Sequence, residues 1–281
     1  MGDTGTGTAA AALRTGYAPV NGLNMYYEIH GSDRTGGGTP LVLLHGAFSA
    51  IGTSFGRLLP GLAEGRQIIG LEQQAHGRTA DIDRPLSMEL MADDTAAALG
   101  HLGIEKADFF GYSMGAGVAL RTAIRHPGLV RKLVLATPIS KGSGVHPGLM
   151  EGLGEMKPEQ MFGSQWHEEY LRIAPDPGHF AAFFAKKTQM DKATKDIPDD
   201  TIRAIAAPTL LIAGDSDIVR PEHAVELFRL LGGGVIGDLA GLPKSQLAIL
   251  PGTTHVTLAE RVDLMIPAIV PFLDAAIPAA G

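Results

Sequence analysis

Residues 111–115 read Gly-Tyr-Ser-Met-Gly and place a serine between two glycines. The mostly apolar run 107–110 precedes them, and the small-residue helical stretch 116–120 follows. A serine on such a strand-to-helix turn carries its hydroxyl above the carboxyl end of a sheet, where a base and a substrate carbonyl can both reach it. Short glycine patterns also arise by chance in a chain with 37 glycines, so the flanking strand and helix carry much of the signal. Ser113 is therefore the candidate nucleophile.

A serine hydroxyl becomes reactive when a base accepts its proton and an acid fixes the tautomer of that base. Residues 214–217 read Gly-Asp-Ser-Asp and follow the apolar run 209–212. They put two carboxylates, Asp215 and Asp217, at the carboxyl end of a predicted strand. Spacing alone does not choose between them.

The candidate base must follow the acid if the chain order is serine, acid, histidine. Of the ten histidines, only His223 and His255 do so. His223 lies in the first turn of a predicted helix, where an exposed polar role is expected. His255 ends a tight turn after the strand-like run 246–250 and is the predicted base.

The attack of Ser113 on a carbonyl creates an oxyanion, which backbone N–H groups stabilise by about 3 to 4 kcal/mol each. Met114 is one predicted donor, because it follows the nucleophile at a helix N-terminus. Residues 45–49, His-Gly-Ala-Phe-Ser, form the turn after another apolar run and offer the N–H of Ala47 as the second donor. His45 is expected to orient this turn.

Strands and helices alternate along most of the chain, and they must position these side chains. Asn21-Gly22 between two strand-like runs predicts a hairpin. Ser87 is a suitable N-cap for a helix that extends to about Leu102. Alternation of this kind predicts an α/β fold with a mostly parallel sheet and helices on both faces. Further strands are expected at 41–44, 67–71, 106–111, 132–136, 209–213 and 246–250.

The alternation of strands and helices stops between Ala136 and Ala207. This stretch of roughly 70 residues is too long for a connection in a compact domain. The predicted organisation is a flexible leader at 1–15, a core at 16–138 and 207–281, and a helical cap at 139–206. The cap is rich in methionine and aromatic residues, most of which are expected to form its own core. An apolar acyl or aryl pocket is predicted from Phe48, Trp166, Phe162 and Tyr170.

Composition excludes several classes of function. The net charge of −7 and the absence of a basic cluster argue against a nucleic-acid partner. Zero cysteines exclude disulfides, thiolate metal sites and a cysteine nucleophile. No motif for a metal or an organic cofactor is present, and no apolar run is long enough to span a membrane. The chain is expected to be cytoplasmic, a monomer or homodimer, and to act on a small molecule.

Four motifs in this order resemble the α/β-hydrolase superfamily, in particular its branch of esterases and cofactor-free haloperoxidases. They are His-Gly at 45–46, the turn around Ser113, Gly-Asp-Ser-Asp at 214–217 and the late His255. The resemblance extends from Tyr17 to the end of the chain and implies the fold of that superfamily.

The resemblance also implies that the second aspartate of Gly-Asp-x-Asp is the acid, which favours Asp217 over Asp215. One segment departs from the family pattern Asp-x-x-Gly-His-Gly-x-Ser. Here residues 72–79 carry Glu72 in place of the aspartate and Ala75 in place of the first glycine. This departure bears on the shape of the local loop.

The function implied is hydrolysis of a carboxylic ester or lactone through an acyl-serine. A serine at this turn argues against the haloalkane dehalogenase and epoxide hydrolase branches, which have aspartate there. Carbon-carbon bond hydrolysis and perhydrolysis use the same three residues and stay open. So does a small-molecule receptor built on this fold.

Overall fold

The structure is a computed structural model that describes residues 13–31 and 38–277. The strands of this part of the chain form one sheet of eight, in the order β1-β2-β4-β3-β5-β6-β7-β8. Only the pairs β1/β2 and β2/β4 are antiparallel, which confirms the mostly parallel sheet. The strands are β1 (Arg14–Val20), β2 (Leu23–His30), β3 (Leu41–Leu44), β4 (Ile68–Leu71), β5 (Ala107–Tyr112), β6 (Val130–Ala136), β7 (Thr209–Ser216) and β8 (Gln246–Thr254).

Helices cover both faces of this sheet. Ser87 caps one of them, α3, because its side chain accepts a hydrogen bond from the backbone N–H of Leu90 at 3.1 Å. The α-helices are α1 (Ile51–Phe55), α2 (Leu59–Leu62), α3 (Met88–His101), α4 (Met114–Arg125), α5 (Leu149–Glu155), α6 (Gln165–Ile173), α7 (Phe180–Ala193), α8 (Asp199–Arg203), α9 (Pro221–Leu230), α10 (Gly237–Ala240) and α11 (Val262–Asp274).

The hairpin β1/β2 forms as predicted. Asn21 and Gly22 have φ of 49° and 85°, the left-handed conformation that a two-residue hairpin turn requires. Residues 1–12 of the predicted leader lie outside the described residues. The first strand begins at Arg14, so its start overlaps the end of the predicted leader.

The central strands separate two apolar cores. Val42 and Leu44 of β3 contribute to the core beneath α3 and α4, whereas Leu41 and Leu43 face the core beneath α11. All four side chains are buried, which explains why the strand reads as a continuous apolar run.

The predicted helical insertion lies between β6 and β7 and contains α5 to α8. Asp81, in the loop after β4, ties it to the core through an ion pair with Lys186 at 2.7 Å and a hydrogen bond with Nε2 of His179 at 3.0 Å. The ring of Phe48 lies 5.1 Å from that of Phe183 in α7. Among the described residues, no helix is both long and apolar enough to cross a bilayer.

Gly115, at the start of α4, packs directly on the backbone of β3. A Cβ there would overlap the carbonyl group of Leu44. We expect Gly115→Ala to cost at least about 3 kcal/mol, because backbone on both sides prevents relief. The control is Gly100→Ala, at an exposed position of α3 where a Cβ meets no atom within 4 Å. It should gain roughly 0.5 kcal/mol. Urea unfolding measures both changes, and equal effects would contradict this account.

Candidate active site

Ser113 occupies the sharp turn between β5 and α4. Its φ of 55° and ψ of −118° are unusual for a residue with a side chain, and such strain is typical of functional sites. Its backbone N–H donates to the carbonyl of Ala136 at 2.9 Å, which fixes the turn to the end of β6. A Cβ at Gly111 would overlap the backbone of Gly115, so both glycines are needed where the sequence has them.

Three predicted side chains meet at the carboxyl edge of the sheet. The Oγ of Ser113 lies 2.8 Å from Nε2 of His255, and Nδ1 of His255 lies 2.8 Å from Oδ1 of Asp217. Since a carboxylate only accepts, Nδ1 carries a proton and the Nε2 lone pair faces the serine hydroxyl. This arrangement allows His255 to remove the proton from Ser113.

Asp217 is held by its own loop. Its side chain is 0% exposed, and its carboxylate accepts hydrogen bonds from the N–H of Gly214 at 3.3 Å and of Val219 at 3.1 Å. These two donors fix the position of the Asp217 carboxylate.

Asp215 points elsewhere. Its two oxygens accept hydrogen bonds from the backbone N–H groups of Gly252 at 2.9 Å and Thr253 at 3.1 Å. These N–H groups lower the pKa of the exposed Asp215 carboxyl. Of the two carboxylates that spacing left open, the structure brings Asp217 to the imidazole and Asp215 to the backbone of residues 251–254, an irregular turn at the end of β8 that leads into His255.

The hydroxyl of Tyr112, next to the nucleophile, donates to the carbonyl oxygen of His255 at 2.6 Å. The phenol ring lies 5.6 Å from the imidazole with an angle of 29° between the rings. Tyr112 was not among the predicted site residues, because a tyrosine beside the serine carries no signal for a partner 143 residues away.

The predicted oxyanion donors belong to two turns that meet at Ser113, since a Cβ at Gly46 would lie 3.6 Å from the Cβ of Ser113. Met114 is the first residue of α4, where backbone N–H groups have no partner within the helix. Ala47 lies in the turn after β3, beside Phe48 with its φ of 58°. The hydroxyl of Ser54 in α1 shapes this turn by accepting from the N–H of Gly46 at 3.1 Å. Sequence reasoning missed Ser54.

Two buried histidines support the same turn. Nε2 of His45 accepts from the N–H of Gln73 at 3.0 Å, so its Nδ1–H donates to the carbonyl of Gly46 at 2.8 Å. Burial lowers the pKa of His45 to about 4, which keeps it neutral. The ring of His76 packs 5.0 Å from that of His45, and burial holds its pKa well below the usual value. Both are braces of the loops after β3 and β4.

The expectation that His223 is exposed was wrong. The residue is 3% exposed, and its Nε2 accepts from the N–H of Ser140 at 3.2 Å. The ring fits against Gly144, where any Cβ would overlap it. The first turn of α9 thus faces the segment that leads into the cap, a contact the local sequence does not encode.

The same segment also pairs with the loop that carries the acid. Val145 forms an isolated antiparallel bridge with Val219. The N–H of Arg220 donates to the carbonyl of Gly144 at 2.9 Å, and that of His146 to the carbonyl of Ile218 at 3.3 Å. The first residues of the insertion are therefore part of the support of Asp217.

The departures at Glu72 and Ala75 fit one loop. Glu72 is buried and accepts from the N–H of Arg78 at 2.5 Å and from its guanidinium at 2.8 Å. Ala75 adopts the left-handed φ of 64° that glycine usually supplies. Gly77 must lack a Cβ, which would overlap the Glu72 carboxylate. Burial raises the pKa of Glu72 to about 7, against the opposing effect of Arg78.

Glu72 predicts a pH dependence of stability. Its folded pKa of about 7 exceeds the unfolded value of 4.5, so its contribution is complete below about pH 4.5 and is lost as pH rises through 7. We expect Glu72→Gln to remove this loss. The unfolding free energy of the variant relative to wild type should rise by about 2 to 3 kcal/mol from pH 5 to pH 8. Urea unfolding at both pH values tests this, with exposed Glu151→Gln as control. An unchanged difference would contradict it.

The predicted pocket residues divide into two pairs. Phe48 and Tyr170 both pack on Phe183, with ring centroids 5.1 and 5.5 Å away. Phe162 is 54% exposed and stacks on His167, with the ring centroids 4.6 Å apart. Trp166 is half-buried, one turn before Tyr170 on α6.

A cavity of about 110 Å³ opens beside Tyr170, between the cap and the loop after β4. It is lined by Ala75, Gly77, Thr79, Ala80, Asp81, Tyr170, Ala174, Pro175, Asp176 and His179.

Known proteins are similar to this chain over about two thirds or more of its length. It is 28% identical over 271 residues to a protein assigned as the carbamate hydrolase RutD of Agrobacterium fabrum, covering 89% of this chain and 98% of that protein. It is 28% identical over 207 residues to the 2-hydroxymuconate semialdehyde hydrolase of Pseudomonas sp. strain CF600, covering 66% of this chain and 73% of that enzyme.

A solved structure of similar fold is 2-hydroxy-6-oxo-6-phenylhexa-2,4-dienoate hydrolase from Rhodococcus sp. strain RHA1. It aligns with a TM-score of 0.74 at 20% identity, over 94% of this chain and 100% of that one. The protein-family model for the alpha/beta hydrolase fold matches residues 39–201, more than half of the sequence, and confirms the resemblance noted from the motifs. The chain belongs to the alpha/beta hydrolase fold family.

Proposed function

We propose that this hydrolase cleaves a carboxylic ester or lactone through an acyl-enzyme intermediate on Ser113. The observation that carries the proposal is the pair of 2.8 Å contacts from Ser113 through His255 to Asp217. Both distances lie within hydrogen-bond reach, as a nucleophile, its base and an orienting acid require.

The reaction proceeds in two halves. His255 takes the proton of Ser113 as Oγ bonds to the acyl carbon, and Asp217 stabilises the imidazolium. The N–H groups of Ala47 and Met114 donate to the oxyanion. His255 then gives its proton to the leaving oxygen as the carbon-oxygen bond breaks. A water molecule, which gives a proton to His255, then attacks the acyl-serine. This step releases the carboxylic acid product and returns the proton to Ser113.

An apolar acyl or aryl group is the proposed substrate feature. Phe48, beside the oxyanion turn, belongs to an aromatic cluster with Phe183 and Tyr170. Aromatic faces favour apolar partners of matching shape. The kcat/KM for short-chain and aromatic esters should therefore be higher than that for long-chain lipids. Trp166 and Phe162 are proposed to contact the substrate at the entrance of this apolar pocket.

Carbon-carbon bond hydrolysis is the second candidate. It is favoured by the likeness to the 2-hydroxymuconate semialdehyde hydrolase, which aligns over 66% of this chain. Hydrolysis of a carbamate is a third, from the likeness to the RutD protein. Both would use the same serine, so the geometry alone does not separate them.

A substrate panel with an active-site label tests the proposal. A fluorophosphonate should modify the wild-type protein at Ser113, as located by peptide mass spectrometry. kcat/KM is then compared for p-nitrophenyl acetate, an aryl lactone, an aryl carbamate and a vinylogous diketone. Higher kcat/KM on the ester or lactone supports the proposal. Preference for the diketone or the carbamate moves the assignment to that reaction. Labelling without turnover of any substrate favours a receptor.

A further inference from the structure

We propose that Asp215 is a positioning residue for His255, an inference that rests on the proposed function. Its carboxylate accepts hydrogen bonds from two successive N–H groups of the turn before the histidine, those of Gly252 at 2.9 Å and of Thr253 at 3.1 Å. Two bonds to successive N–H groups define the orientation of this turn as well as its distance from β7.

Two carboxylates at the end of β7 contact His255 and the backbone that precedes it. The register between β7 and β8 shifts between Gly214 and Ser216, and this irregularity lies where the two carboxylates diverge. Asp215 contacts the backbone before His255, while Asp217 contacts its ring. A Cβ at Gly214 would overlap the carbonyl of Thr253, so the turn lies directly on the strand end.

The turn has a backbone that needs such support. Gly252 adopts a φ of 59°, and Thr253 is buried. Arg261 holds the other side of the turn through the carbonyl of Pro251 and the hydroxyl of Thr253, each at 3.1 Å. Without Asp215, the N–H of exposed Gly252 would be left to water, and the N–H of buried Thr253 would lose the carboxylate that accepts it.

Small displacements of this turn matter because His255 must meet Ser113 at hydrogen-bond distance. A misplacement of about 1 Å costs on the order of 10²-fold in rate. Asp215 itself is exposed, so its replacement leaves the apolar cores intact. A large rate effect from an exposed side chain that does not touch the reacting atoms would be specific to positioning.

The test compares Asp215→Ala and Asp215→Asn with the exposed control Asp238→Ala in α10. Asp215→Ala should lower kcat on the best ester about 10- to 100-fold with KM within about twofold. It should slow fluorophosphonate labelling of Ser113 in parallel. Asp215→Asn keeps one acceptor oxygen and should recover part of the loss. The low-field proton resonance of His255 Nδ1–H should shift in the alanine variant.

Several results would overturn the inference. One is Asp215→Ala with wild-type kcat and labelling rate. Another is an equal loss in both Asp215 variants accompanied by a large drop in melting temperature, which would indicate a merely structural role. Failure of the proposed function looks different, because the wild-type protein itself would then lack labelling and turnover. In that case the His255 resonance still decides, since its invariance in Asp215→Ala contradicts positioning.

Discussion

Ser113→Ala is expected to lower kcat/KM on esters by about 10⁶-fold and to abolish fluorophosphonate labelling. The substitution removes the oxygen that lies 2.8 Å from His255 and leaves the Cβ and the strained turn in place. The residual rate should come from the oxyanion donors and from substrate binding alone. Initial rates with active-site titration, and thermal unfolding to verify the fold, measure this outcome.

Ser143→Ala is the matched control, because this serine is exposed and lies at the start of the helical insertion. It should keep the wild-type rate and the label. If Ser113→Ala retained more than a few per cent of the ester rate, the acyl-serine mechanism would be abandoned.

Asp217→Asn is expected to reduce kcat by about 10³- to 10⁴-fold with little change in KM. The amide nearly preserves size but removes the charge that stabilises the imidazolium. One carboxylate oxygen faces Val219 and His255 and the other faces Gly214, so the NH2 group must oppose at least one N–H donor. If the amide turns its NH2 toward the ring, His255 adopts the tautomer that places a proton toward Ser113.

Steady-state kinetics over a range of pH measure this loss, and Asp200→Asn, an exposed residue of α8, is the control. A loss below tenfold would mean that Asp217 does not support the base. The comparison with Asp215→Asn then separates the carboxylate at the ring from the one at the backbone, since the former should cost at least tenfold more.

Much of the candidate site was readable from local sequence. A nucleophile turn requires glycines at fixed positions, and Gly111 and Gly115 stand where backbone contact permits no Cβ. The three side chains can meet because β5, β7 and β8 are parallel strands of one sheet that end at the same edge. The Asn21-Gly22 hairpin and the Ser87 cap are short-range signals of the same kind, and the structure confirms them.

Other features depend on contacts that local sequence does not contain. His223 has the spacing of an exposed helix-start residue, but Ser140 and Gly144 approach it from another part of the chain. Asp215 and Asp217 are equivalent by spacing in the sequence. Their side chains point in different directions because the strand register shifts between Gly214 and Ser216, which local sequence does not reveal. The carboxylate of Glu72 takes the place of the family's aspartate and binds Arg78, six residues later.

The bridge between Val145 and Val219 has a consequence for engineering specificity by exchanging caps between relatives. A chimaera joined directly after β6 would replace Gly144 and His146, which hydrogen bond to Arg220 and Ile218. The foreign insertion would then change the position of Asp217 as well as the residues that contact the substrate. A junction placed after His146 would graft the new lid and leave that support native.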